Sequence, residues 1–118
     1  MPVAYKHIDL GYSMDGHIYR IGPLCWISGN VDTIGKTVPS GQHTLLETWP
    51  EGFRPTGEDA RAQIAGAFSF ERTKAGMIWE VQEDGRIKFY CDADLAHGNS
   101  SNVKLVGMWY TNDPWPTS

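Results

Sequence analysis

The chain has 118 residues, of which 41% are hydrophobic and 20% are charged, and this length and balance predict one folded domain over 1–118. Its formal net charge is −4 and its basic residues are scattered, which argues against nucleic acid as a partner because phosphates select clustered Lys and Arg. No stretch approaches the roughly 18 uncharged apolar residues that cross a bilayer, and the N-terminus lacks a signal-peptide pattern, so we expect no membrane insertion.

The N-terminal segment 1–15 contains the first predicted strand. Val3–Leu10 alternates loosely between apolar and polar residues, which predicts an edge or interface strand. The pair Asp15-Gly16 predicts a turn after it.

Three further strands are predicted before residue 50. His17–Gly22 and Leu24–Val31 are rich in β-forming residues, and Pro23 between them predicts a bend or an edge position because proline interrupts a central ladder. Turn-forming residues from Asp32 to Gly41 predict a loop. Gln42–Thr48 then predicts a strand that ends before Trp49-Pro50.

The second half of the chain carries the strongest local signal. Ala60–Phe70 lacks a helical apolar stripe and is interpreted as a strand. Gly76–Gln82 and Arg86–Cys91 flank Asp84-Gly85, and Asp-Gly supplies the positive φ of a tight hairpin turn. Alternation predicts that one face of this hairpin lies in the core, formed by Met77, Trp79, Val81, Ile87, Phe89 and Cys91.

The chain closes with a polar loop, a strand and a tail. Asp92–Ser101 predicts the loop, Asn102–Tyr110 the last strand, and the proline-containing segment 111–118 the tail. Short strands separated by turns are typical of an all-β, antiparallel, jelly-roll-like sandwich or barrel. Leu24–Ile27 and Val103–Tyr110 are apolar on both faces, which indicates a second buried surface such as a subunit interface.

Catalytic and metal-binding patterns are weak in this sequence. No Gly-x-Ser-x-Gly nucleophile motif occurs, and Asp92 and Asp94 lack the further ligands of a calcium loop. Cys25 and Cys91 are interpreted as buried thiols, although one bridge between them is possible. We therefore expect no metal, no cofactor and no catalytic residue.

Polar loop residues and aromatic residues supply a candidate saccharide site instead. Trp26 and Trp79 alternate with apolar neighbours and are predicted to lie in the core, whereas Trp109, Tyr110 and Trp115 are candidates for a ligand or an interface. Carboxylates, imidazole and amide groups match the hydroxyls of a sugar. The predicted ligand-binding residues are Tyr90, Asp92, His97, Asn99 and Trp115, with ordinary loop residues as the alternative interpretation.

Three segments in order resemble one family. Leu46–Pro55 resembles the "t-L-P-x-G-[FY]-R-P" segment of C-terminal head domains in phage tail and receptor-binding proteins, with Trp49 in place of the usual Leu. Tyr19–Gly29 resembles their "y-r-x-G-x-x-v-x-x-x-G" strand pair, and Gly76–Tyr90 resembles their "G-x-i-x-v-x-x-d-G-x-i" hairpin. Within the first segment we expect Phe53 to fill the core and Arg54 to bond backbone carbonyls around the turn.

The resemblance implies a function and a location. Such heads are homotrimers in the tail of the phage virion, and an upstream tail or baseplate region precedes them in the chain. They bind host cell-surface saccharide non-covalently. It therefore implies a host-attachment domain exposed to the host cell wall. Two alternatives stay open: a trimerisation or capping module that binds no saccharide, and a small polysaccharide depolymerase that uses carboxylates.

Overall fold

The computed structural model describes residues 2–11, 14–28, 30–31, 37–45, 47–56, 61–67, 77–82, 84–91, 94–96 and 103–117. Their regular secondary structure consists of β-strands, and every strand pairing is antiparallel. The all-β antiparallel prediction is confirmed. Within the described residues, no helix is long and apolar enough to cross a membrane.

Most of the strands follow the β-rich runs of the sequence. In chain order they are β1 (Ala4–Gly11), β2 (Met14–Ile21), β3 (Leu24–Ser28), β4 (Asn30–Val31), β5 (Thr37–Val38), β6 (Gly41–Thr44), β7 (Arg61–Ala67), β8 (Met77–Gln82), β9 (Ile87–Cys91), β10 (Leu95–Ala96) and β11 (Val103–Tyr110).

One long sheet has the order β1-β2-β3-β11-β7-β8-β9-β6, and β4 also pairs with β11. Strand β11 joins the two halves of this sheet. Its C-terminal residues 107–110 pair with β3, whereas residues 104–106 pair with β7. A separate two-stranded sheet contains β5 and β10.

Strand alternation places one face of each half in a shared core. In the half formed by β1, β2, β3 and β11, the inner side chains include Ile8, Leu10, Ile18, Cys25, Ile27 and Trp109. In the β8–β9 hairpin the predicted inner face is confirmed for Trp79, Val81, Ile87, Phe89 and Cys91, which are all buried. Gly85 has a φ of 91° at the hairpin turn, a conformation that glycine adopts without steric cost.

Several local predictions about strands are confirmed. Ala60–Phe70 contains β7, and the predicted last strand contains β11. Gly22 and Pro23 form the turn between β2 and β3, where Gly22 has a φ of 53°.

Other local predictions are wrong. Asp15 and Gly16 lie inside β2, where they pair with Asp9 and Ile8, because the ladder to β1 continues through them. Both predicted loops contain a short strand, β5 in the first and β10 in the second. A strand of two residues is too short to produce a recognisable pattern in the sequence. The strand predicted at Gln42–Thr48 is shorter, since β6 ends at Thr44.

The predicted burial of two tryptophans, Trp26 and Trp109, is wrong. Trp109 is 6% exposed and belongs to the core, where its indole N–H donates to the Phe53 carbonyl at 2.7 Å. Trp26 is only partly buried and stacks on Tyr19 with 5.5 Å between ring centroids. The register explains both, because Trp109 opposes Cys25 while Trp26 opposes Met108 on the other face.

Candidate ligand-binding site

Trp115 lies in the segment 111–117, which packs against the turn between Trp49 and Pro55. The Asp113 carboxylate accepts hydrogen bonds from the backbone N–H groups of Gly52 at 2.9 Å and Arg54 at 3.2 Å. A carboxylate that accepts two backbone donors is held firmly, because charge-assisted bonds are stronger than neutral ones. The residues before Trp115 are thereby fixed to the turn.

Arg20 holds the same segment from the inner face of β2. Its guanidinium, in a residue 6% exposed, donates to four carbonyl oxygens, those of Gly22 at 2.8 Å, Gly52 at 2.6 Å, Asp113 at 2.9 Å and Pro114 at 3.2 Å. The planar fork of arginine can reach several acceptors at once. Arg20 therefore connects β2, the turn and the C-terminal segment.

The same guanidinium contacts the Trp115 ring. The Arg20 Cζ atom lies 5.2 Å from the ring centroid, within the range of a cation–π contact. Trp115 nevertheless keeps 40% of its surface exposed. The indole is thus an anchored aromatic surface that solvent still reaches.

The turn from Trp49 to Pro55 has the roles that the sequence predicts. Phe53 is 2% exposed, and Arg54 donates through Nε to the Trp49 carbonyl at 2.8 Å. The Phe53 N–H donates to the Pro50 carbonyl at 3.2 Å, which closes the turn around Gly52. Phe53 as a core residue and Arg54 as a structural residue are confirmed.

A depression of about 400 Å³ lies beside this turn and exposes the Trp115 ring. We call it the Trp115 groove. Its lining combines two aromatic residues, three prolines, a glycine, an ammonium, a carboxylate and a hydroxyl: Lys6, Pro50, Glu51, Gly52, Phe53, Pro114, Trp115, Pro116 and Thr117.

The chemistry of this groove suits a hydroxylated ligand. An aromatic face packs against the apolar face of a sugar ring, while Lys6 donates, Glu51 accepts and the Thr117 hydroxyl does both. Lys6, Glu51 and Thr117 are all exposed. The groove thus offers one stacking surface with polar groups around it.

Tyr90 lies in a second, smaller depression of about 220 Å³ on the outward side of β6, β8 and β9. Its ring is 52% exposed and opposes Ile78 across the strands. Gln42, Glu80 and Lys88 also line this depression. It therefore combines an aromatic ring with amide, carboxylate and ammonium groups.

The structure locates two of the five predicted ligand-binding residues. Trp115 lines the first depression and Tyr90 the second, and the two depressions share no lining residue among those described. Asp92, His97 and Asn99 lie outside the described residues. Tyr90 and Trp115 are therefore not brought together in one depression.

Sequence reasoning did not identify Arg20, Lys6 or Glu51 as parts of the Trp115 groove or its support. A signal was available for Arg20, since it lies two residues after buried Ile18 and so takes a core-facing position. A charged residue at such a position needs buried partners. Lys6 and Glu51 carried no comparable signal, because charged residues in edge strands and turns are common.

Both cysteines lie in the core. Cys25 and Cys91 are buried, and no disulfide bond joins them, which confirms their interpretation as buried thiols. Burial raises the pKa of the Cys25 thiol to about 12, so it stays protonated at neutral pH. Among the described residues, no group of three His, Cys, Asp or Glu side chains is placed to hold a metal ion.

Comparison of the chain with family models, with curated proteins and with solved structures gives no match. The candidate site is therefore defined by its own geometry, which is an anchored, solvent-exposed tryptophan in a groove edged by hydrogen-bonding groups.

Proposed function

We propose that this chain is a phage receptor-binding head domain that recognises a host cell-surface saccharide without breaking a bond. The observation that carries the proposal is Trp115. Its ring is 40% exposed in the groove, although Arg20 and Asp113 anchor the residues around it. A surface that is already ordered binds its ligand without the entropic cost of ordering it first.

The charges of the groove favour an uncharged, hydroxyl-rich ligand. Lys6 and Glu51 give its lining one cation and one anion, so neither an acidic nor a basic polymer is selected by net charge. The two groups instead supply donors and acceptors, which the hydroxyls of a neutral sugar satisfy in either role.

The sequence supports the biological setting of the proposal. The resemblance of Leu46–Pro55, Tyr19–Gly29 and Gly76–Tyr90 to phage head domains implies a homotrimer at the end of a tail or baseplate region, exposed to the host. In that setting each head contributes a modest affinity. Several heads on one virion then bind the cell wall together with greater overall strength.

Saccharide binding is tested with host cell-wall polysaccharide in a pull-down and with a glycan array. Trp115→Ala removes the ring from the groove and is expected to reduce binding at least about tenfold, as for other central aromatic contacts. Tyr90→Ala is the matched control, because Tyr90 is similarly exposed and lies in the other depression.

The two variants separate the possible outcomes. Loss with Trp115→Ala alone supports the groove, whereas loss with Tyr90→Ala alone moves the site to the depression on β8 and β9. Wild-type protein that binds neither whole host cells nor their saccharides would leave the capping module as the better hypothesis. Release of new sugar ends from the polysaccharide would instead support a depolymerase.

A further inference from the structure

The outward face of the half-sheet β1-β2-β3-β11 carries a row of aromatic side chains. Strand register places Tyr5 opposite Tyr19, Tyr19 opposite Trp26, and Trp26 opposite Met108. Tyr110 lies on the same face two residues beyond Met108. We call these five residues the aromatic face.

The rings of this face are oriented mainly towards one another. Tyr5 and Tyr19 have their centroids 5.3 Å apart, and Tyr19 and Trp26 are stacked at 5.5 Å with 15° between their planes. The flat surfaces of Tyr19 and Trp26 are thus turned towards each other. Stacking on a sugar needs a free ring surface, so this row does not fit the chemistry proposed for the Trp115 groove.

Exposure is greatest at the two sides of the aromatic face. Tyr5 on β1 is 51% exposed, whereas Met108 and Tyr110 on β11 are 66% and 68% exposed. With about 200 Å² for each such side chain, their exposed area is roughly 370 Å². That is near half of the ~800 Å² that one partner contributes to a standard interface.

The charges around this face argue against a phosphate-bearing partner. The outward positions of β1, β2 and β3 carry no Lys or Arg, and Lys104 is the one basic residue at an outward register position of β11. The other titratable groups beyond the tyrosines are Asp9, Asp15, His7 and His17, and the His7 and Asp15 side chains bond at 2.9 Å. Tyr, Trp and Met are enriched in the core of protein interfaces.

We propose that the partner on this face is a second copy of the chain, with the β1 side of one copy packed against the β11 side of the next. Two apolar sides on one face suit a head-to-tail contact that closes into a ring. The inference rests on the homotrimer of the proposed function. It adds the surface through which the copies meet.

The experiment measures molar mass by light scattering over a range of concentrations, with thermal unfolding to show that each variant folds. Met108→Glu places a charge on the β11 side and is expected to weaken association at least about tenfold. Ile78→Glu is the matched control, because Ile78 is an outward strand residue 54% exposed in the other half of the sheet. It should leave association unchanged.

A second variant tests which sides meet. Adding Tyr5→Lys to Met108→Glu would place opposite charges across the proposed contact, so the double variant should associate more strongly than Met108→Glu alone. If the single and double variants associate equally weakly, the head-to-tail arrangement is overturned.

The remaining outcomes distinguish this inference from the proposed function. An oligomer that resists Met108→Glu, or that responds equally to Ile78→Glu, would overturn the aromatic face while leaving the trimer. Wild-type protein that stays monomeric at the highest concentration of the series would overturn both the trimer and the face. Saccharide binding through Trp115 would stand in either case.

Discussion

Arg20→Lys should destabilise the domain far more than a conservative exchange of basic residues normally does. Arg20 is nearly fully buried, and its three guanidinium nitrogens donate to four carbonyl oxygens on three segments of the chain. Lysine keeps the charge but concentrates its donors on one nitrogen. The variant therefore isolates the geometry of the fork from its charge.

The size of the effect follows from the separate bonds. Nη1 serves both Gly52 and Pro114, and an ammonium near that position can keep at most those two acceptors. The bonds to the carbonyls of Gly22 and Asp113 are lost, each worth about 1.5 kcal/mol for a charged donor. The expected loss in the free energy of unfolding is about 3 kcal/mol, or roughly 12 °C in Tm for a domain of this size.

Urea unfolding followed by tryptophan fluorescence measures this loss, and Arg86→Lys provides the control. Arg86 is exposed and bonds Asp84 in the hairpin turn at 2.8 Å, so its exchange should change stability by less than about 0.5 kcal/mol. A cost below about 1 kcal/mol for Arg20→Lys would show that the fork does not hold the C-terminal segment.

Three further predictions concern single groups. Trp49→Phe should lower the free energy of unfolding by urea about 1–2 kcal/mol more than Trp79→Phe does. The Trp49 indole N–H donates to the Phe53 carbonyl at 3.0 Å, whereas the buried Trp79 N–H has no partner among the described residues. Equal losses for the two variants would contradict this reasoning. Burial raises the pKa of the Cys25 thiol from 9.0 to about 12. The unfolded chain therefore loses this proton at a lower pH than the folded chain, so the free energy of unfolding should fall between pH 9 and pH 12. Urea midpoints at pH 8 and pH 10 should show a smaller decrease for Cys25→Ala than for the wild type. The hydrogen bond from the backbone N–H of Arg86 lowers the pKa of the Asp84 carboxyl. The ionised carboxylate therefore contributes to stability at neutral pH, and this contribution is lost as the pH falls below the ordinary pKa of an aspartate. Asp84→Asn should make stability less dependent on pH in the acid range, and an unchanged dependence would refute the role of this bond.

The strands that the sequence predicts well are those whose apolar pattern is local. The β8–β9 hairpin is specified by Asp84-Gly85 and by strict alternation on both sides, so its turn and its buried face follow without knowledge of the rest of the chain. Strand β5 has only two residues and exists through its pairing with β10, more than fifty positions later. No local pattern encodes such a pairing.

The candidate site was harder to predict than the strands, because its parts come from distant positions. Trp115 stood out as an aromatic between two prolines, yet its support comes from Arg20 in β2 and from the turn around Gly52. The predicted sides of Trp109 and Trp26 are wrong for a similar reason. Both lie in strands that are apolar on both faces, and such strands do not show from their own sequence which face meets the core.

Alternation within β2 and β11 also separates the two proposed activities. In β2, Tyr19 faces outward while Arg20 faces the turn, and in β11 Trp109 is buried while Tyr110 is exposed. Neighbouring residues thus serve opposite sides of one sheet. A substitution on the aromatic face leaves the anchoring bonds of Trp115 intact, since those bonds come only from the inner side. Loss of association with retained saccharide affinity per chain is therefore the specific result expected of Met108→Glu, and loss of affinity with retained association is the result expected of Trp115→Ala.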